Sequence, residues 1–164
     1  MVIQSIAMLA FSLTAQLPDT LPEMPPGQVK PGVEISSILT YEGVNIYNYA
    51  IVIYCDGKAS DTFHVKKTKP VFVCLDYGHQ YAIRYVIEGF RERVVMINTV
   101  VDPVIAQKIM LFDYEIEMVR INEPANTFND LPVAIVAYDP AFKKFQFSQK
   151  YHEQVREAGT VVTN

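Results

Sequence analysis

Tryptophan is absent from this sequence, cysteine occurs twice and histidine three times in 164 residues. Neither Cys55 nor Cys74 belongs to a Cys-x-x-Cys pair, and His64, His79 and His152 show no His-x-x-x-His spacing. Those gaps argue against a dedicated metal or redox site, whose ligands must converge from short spacings. No apolar run reaches the ~20 residues that a membrane-spanning helix needs. Basic charge is also short: the net charge is −4 and the pI about 5.3, so an electrostatic nucleic-acid footprint is excluded. No internal repeat is present. What the chain does have is apolar and aromatic mass: 50% of residues are hydrophobic, with ten Tyr and nine Phe. That composition excludes disorder along most of the chain, and the length suits one ordinary domain that buries roughly 70% of its unfolded surface.

Residues 1–17 carry no charged side chain, and Ile6–Leu13 form a short apolar core followed by the small residues of Leu13-Thr14-Ala15. Residues 1–15 are therefore expected to be a signal peptide cleaved after Ala15. The competing reading is an apolar first strand of a cytosolic protein. No cysteine lies near the cleavage point, so no lipid anchor is indicated. Residues 16–32 hold five of the ten prolines and read as an extended, polyproline-like linker.

From Val33 onward the dominant period is two, the signature of strands. Tyr49–Tyr54 is apolar on both faces, as a central strand requires. Tyr81, Ile83, Tyr85 and Ile87 alternate with Gln80, Ala82, Arg84 and Glu88, the pattern of a half-buried strand. Phe112, Tyr114, Ile116 and Met118 alternate with Asp113, Glu115, Glu117 and Val119 to give a strand with one charged face. Turns are expected at Asp56-Gly57-Lys58, Tyr77-Gly78-His79 and Glu88-Gly89, and Asn122–Asp130 reads as a polar loop. Ser148 is placed to cap a last helix bearing Tyr151, Val155 and Ala158 on one face, with Gly159 as its stop. Phe142, Phe145 and Phe147 are expected to cover an edge or end of the core.

The stretch Leu75-Asp76-Tyr77-Gly78-His79-Gln80-Tyr81-Ala82-Ile83, followed by Glu88-Gly89-Phe90, resembles the carboxypeptidase-regulatory-like, transthyretin-like β-sandwich modules of bacterial envelope proteins. In those modules a strand ends at Leu, a Gly turn leads to an inward Tyr and then an apolar residue, and a Gly-aromatic pair opens the next strand. The chain departs from the family at its first hairpin, Tyr41-Glu42-Gly43-Val44-Asn45, and at Lys66-Lys67-Thr68-Lys69-Pro70. The stretch from Leu111 onward is similar to an extension that follows such modules, through Tyr138-Asp139-Pro140 and the Phe-rich run after it. The resemblance implies an all-β, transthyretin-like (prealbumin-like) antiparallel sandwich over residues 33–101. A C-terminal extension with strands and a short terminal helix follows over 102–164. It also implies a non-catalytic structural or protein-interaction module in the periplasm or at the cell surface, with another envelope protein as partner and no cofactor. A carbohydrate-binding module is the alternative.

The residues themselves add little chemistry. Cys55 and Cys74 fall on opposite strand parities, which argues against a disulfide, although Cys55 abuts a turn. The histidines read as solvated, and Asp56, Asp61, Asp76 and Asp113 lack calcium-loop spacing. No Gly-x-Ser-x-Gly nucleophile motif occurs. The C-terminal Thr160-Val161-Val162-Thr163-Asn164 also lacks the Tyr-Arg-Gly-Ser ending of the hydrolases that share the transthyretin fold. Catalytic, cofactor and metal residues are therefore expected to be absent. Lys66-Lys67-Thr68-Lys69 reads as a guard on a sheet edge or a docking patch for an acidic partner. Tyr47, Tyr49, Tyr54, Tyr77, Tyr81 and Tyr85 read as core, or else as a carbohydrate platform if several face outward.

Overall fold

The structure, a computed structural model, describes residues 30–66, 70–123 and 132–161. The expected signal peptide, the linker before Lys30, Lys67-Thr68-Lys69 of the basic cluster and most of the polar loop lie outside the described residues.

In chain order the strands are β1 (Gly32–Tyr41), β2 (Val44–Asn45), β3 (Tyr49–Cys55), β4 (Lys58–Val65), β5 (Val71–Leu75), β6 (Gln80–Val86), β7 (Arg93–Asn98), β8 (Ile109–Glu117), β9 (Ala134–Asp139) and β10 (Lys144–Phe147), with helix α1 (Gln149–Val161) last. In the first sheet β8 pairs along nearly all of β1, while β5 and β2 pair in tandem with it, from Val33–Ser37 and from Thr40–Tyr41. A strand has two edges, so β5 and β2 share the one that β8 leaves. The second sheet runs β10-β9-β7-β6-β3-β4. The buried faces of the two sheets form one apolar cluster. Val33, Ile35, Leu75 and Ile116 come from the first sheet, and Ile51, Ile83, Val95 and Val136 from the second. Each fully buried Val, Ile or Leu contributes about 1.5–3 kcal/mol.

The period-two reading locates the interior correctly. On β6, Tyr81, Ile83 and Tyr85 are buried while Ala82 and Arg84 are half-buried. β3 lies between β4 and β6, and even its outward residues Ala50 and Val52 are half-buried, as a central strand demands. One polar contact ties the sheets through the core: the hydroxyls of Tyr85 on β6 and Tyr114 on β8 are 2.6 Å apart.

Every strand pairing within residues 33–101 is antiparallel, as expected, and the parallel pairings come from strands of the segment 102–164. The sheets are mixed: β1 pairs with β8 in parallel, and β7 pairs with β9 in parallel. After β7 the chain crosses to the other sheet to form β8, then returns to lay β9 beside β7. That excursion supplies the crossover a parallel pair requires. Alternating burial reports which side of a strand faces inward and says nothing about its direction. The segment 102–164 supplies β8 to the first sheet and β9 and β10 to the second.

At the C-terminus, Ser148 Oγ accepts the Tyr151 N–H at 3.3 Å, which caps α1 as expected. The helix continues to Val161, past the expected stop at Gly159. Of the three phenylalanines before it, Phe145 is buried on β10, whereas Phe142 is 67% exposed.

Candidate functional site

Two turns meet at one end of the second sheet. The β3–β4 turn places both Asp56 and Gly57 in the left-handed region, with φ of 49° and 79°. This is the two-residue hairpin geometry that Asp-Gly favours, because glycine has no Cβ to clash there. The second turn, between β5 and β6, carries His79. Asp56 joins the two. Its N–H donates to the Gln80 carbonyl at 2.8 Å. One carboxylate oxygen, Oδ1, accepts the Gln80 N–H at 2.9 Å, and the other, Oδ2, lies 2.7 Å from His79 Nδ1. The Cys55 thiol donates to that same Oδ2 at 3.9 Å. The Gln80 N–H, and next the His79 side chain, hold the Asp56 carboxyl below its usual range.

Thr99, fully buried after the end of β7, fixes the His79 turn from behind. Its single hydroxyl proton is shared between the Asp76 carbonyl at 2.7 Å and the His79 carbonyl at 3.0 Å, and its oxygen accepts the His79 N–H at 3.1 Å. Its backbone N–H donates to the His79 carbonyl at 2.9 Å, and its carbonyl accepts the Gly78 N–H at 3.1 Å. Beside the turn, the Tyr81 hydroxyl accepts the Asp76 N–H at 3.1 Å. Burial, then the contact with Cys55, pushes Tyr81 up to about 12.

Sequence reasoning missed this cluster. His79, expected to be a solvated turn residue, is half-buried and paired with Asp56. The turns themselves were visible at Asp56-Gly57 and Gly78-His79. Hidden was the β3–β6 register that sets Cys55 opposite Tyr81, because β4 and β5 intervene in the chain. The thiol's hydrogen bond goes to the carboxylate, with the imidazole nitrogen within 4.8 Å of the sulfur.

Cys55 also borders an open groove of about 370 Å³ between β4 and β5, lined by Ile53, Phe63, Phe72, Cys74 and Tyr81 among others. Both cysteines are free thiols, Cys55 half-buried and Cys74 exposed. The other residues that the sequence offered for chemistry are scattered. His64 lies exposed on β4, and His152 exposed on α1 with its ring edge-on to Phe147. Asp61 lies on β4, Asp113 on β8 and Asp76 in the turn after β5, where it pairs with Lys30 at 2.6 Å. Of the six tyrosines, Tyr49, Tyr81 and Tyr85 are buried, Tyr54 and Tyr77 are half-buried, and Tyr47 is exposed. The core reading of most of them therefore accounts for their positions better than a surface platform.

A second surface feature is the outer edge of β8. Among the described residues β8 pairs with β1 alone, so its other edge makes no ladder, and β10 approaches that side through Phe147, whose ring packs edge-on against Phe112 and Tyr114. Asp113, Glu115 and Glu117 are exposed at alternate positions along it, and Glu115 accepts a 2.8 Å hydrogen bond from buried Thr40. No helix among the described residues is long and apolar enough to cross a membrane. No protein-family model matches the chain, and no curated protein matches it.

Proposed function

We propose that this chain is a non-catalytic, exported protein-interaction module of the bacterial cell envelope, built on a transthyretin-like sandwich and docking its partner by strand addition. The positions of the resembling residues support the fold. Leu75 ends β5, Gly78 and Gly89 take φ of 87° and 81°, and Tyr81 and Ile83 are buried on β6. Phe90 bridges to Arg120.

The single observation that carries the docking mode is the open edge of β8. Main-chain groups on such an edge supply affinity, and side chains at alternate positions supply choice of partner. Antiparallel pairing of this edge with a second copy centred on Glu115 would set Asp113 against Glu117 and Glu115 against its counterpart. Like charges directly opposite are destabilising. The edge therefore repels itself and suits an extended segment with Lys or Arg at every second position.

The test places a photocrosslinking residue at Asp113 in the full chain and fractionates cells after irradiation. An adduct in the envelope fraction, mapped to a basic extended segment and lost in the Glu115→Lys/Glu117→Lys variant, is expected. A chain found in the cytosol with its N-terminus intact refutes export. An adduct with a second copy, or none at all, refutes docking through β8.

A further inference from the structure

We propose that Cys55, Asp56 and His79 form a binding site for a borderline-soft divalent cation of the Zn²⁺ class. A thiol, a carboxylate oxygen and an imidazole nitrogen lie within 4.8 Å of one another. These three donor types together suit zinc, whereas calcium and magnesium want oxygen alone. Bond lengths of about 2.0–2.3 Å in a tetrahedral site put ligand atoms roughly 3.3–3.8 Å apart. The observed separations are 2.7 Å from His79 Nδ1 to Asp56 Oδ2 and 3.9 Å from Cys55 Sγ to that oxygen. The cation therefore takes the place of the His79 Nδ1 proton, which passes to Nε2 of the neutral ring or, from the charged ring, to solvent, and the imidazole withdraws by less than about 1 Å.

The Cys55 sulfur and the imidazole nitrogen lie within 4.8 Å, so these two also draw together when the cation binds. Two hydrogen-bonded turns hold the ligands, and the Gln80 N–H occupies the other carboxylate oxygen, so Asp56 is left with one oxygen free to ligate. Such an outer-shell contact orients a ligand and tunes its affinity. Thr99 sets the backbone of His79 in the same way. Asp56 is exposed, so the fourth position faces solvent and takes water. Coordination requires the thiolate, so binding releases the Cys55 proton to solvent. The site is independent of the β8 edge, and either reading can fail without the other.

The experiment titrates the reduced full chain with Co²⁺ without oxygen. It follows the thiolate-to-cobalt charge-transfer band in the near ultraviolet, then displaces the cobalt with Zn²⁺. One equivalent is expected to saturate the band, Cys55→Ser to abolish it and Cys74→Ser to leave it intact. Losing an outer-shell partner costs about 10–100-fold in metal affinity, so losing a ligand in His79→Gln or Asp56→Asn is expected to cost no less. Circular dichroism of each variant checks folding, and ¹⁵N shifts of His79 in the unmodified chain report ligation without any substitution. No band at millimolar cobalt overturns the proposal. So does a band that survives Cys55→Ser, a band lost in Cys74→Ser, or an unshifted His79.

Discussion

Replacing Thr99 by Val removes one buried hydroxyl from behind the His79 turn while keeping the side chain's shape. In the native chain that hydroxyl satisfies the Asp76 carbonyl at 2.7 Å and the His79 N–H at 3.1 Å. The His79 carbonyl keeps a second partner, the Thr99 N–H, and loses less. Valine leaves two backbone groups without their partner beside a fully buried side chain. An unsatisfied buried group costs about 1–3 kcal/mol, and water at the partly open turn relieves some of that, so a loss of about 2–3 kcal/mol is expected. For a domain of this size that lowers Tm by roughly 4–12 °C. Urea unfolding followed by circular dichroism measures it, with Thr99→Ser as the control. Serine keeps the hydroxyl and sheds one methyl, about 1 kcal/mol. The reasoning requires valine to be worse than serine. If Thr99→Val unfolds within 0.5 kcal/mol of wild type, or Thr99→Ser is the weaker variant, the hydroxyl is not what fixes this turn.

Two further outcomes follow from the packing. A Cβ on Gly32 would sit 2.6 Å from the Leu75 carbonyl oxygen, a backbone atom that cannot swing away. Gly32→Ala is therefore expected to cost about 1–3 kcal/mol by overpacking, and an unchanged denaturation midpoint would refute that. Burial raises the Tyr85 hydroxyl to about 12 and pushes Tyr114 well above its usual 10.0. The neutral form is thus favoured in the folded state, and the stability tied to it is complete below pH 10 and is lost as pH rises toward 12. A Tyr85→Phe/Tyr114→Phe chain should lose less stability than wild type over that interval, and equal alkaline slopes would contradict the assignment.

Much of the interior was legible before the fold was known. The alternation through Tyr81, Ile83 and Tyr85 is local, and side-chain period follows directly from strand geometry. The same holds for Tyr114 and Ile116. What could not be read was which strands lie side by side. The β1–β8 and β7–β9 pairings join segments far apart in the chain, and nothing in the alternation of either member specifies its partner or direction. The Cys55, Asp56 and His79 cluster was hidden for that reason. Asp56 and His79 sit in turns that were expected from their glycines and Cys55 ends the strand before the first, but their meeting depends on β3 and β6 being neighbours. The charged face of β8 was visible as Asp113, Glu115 and Glu117, while its open edge follows from the sheet order alone.

The parallel β1–β8 pair also has a temporal meaning. Gly32, at the start of the sandwich, is matched to Ile109, so the first described strand waits for a partner made after six intervening strands. The β3–β4 and β6–β7 hairpins join near neighbours and can close early. Long loops are costly to close, and contacts of large sequence separation form slowly. The first sheet is therefore expected to be the last to assemble, with β1 held by β5 until β8 arrives. A chain cut after Val101 would retain the second sheet's central strands and leave the whole β8-facing edge of β1 open. Whatever encounters the protein before synthesis reaches Glu117 meets that edge first.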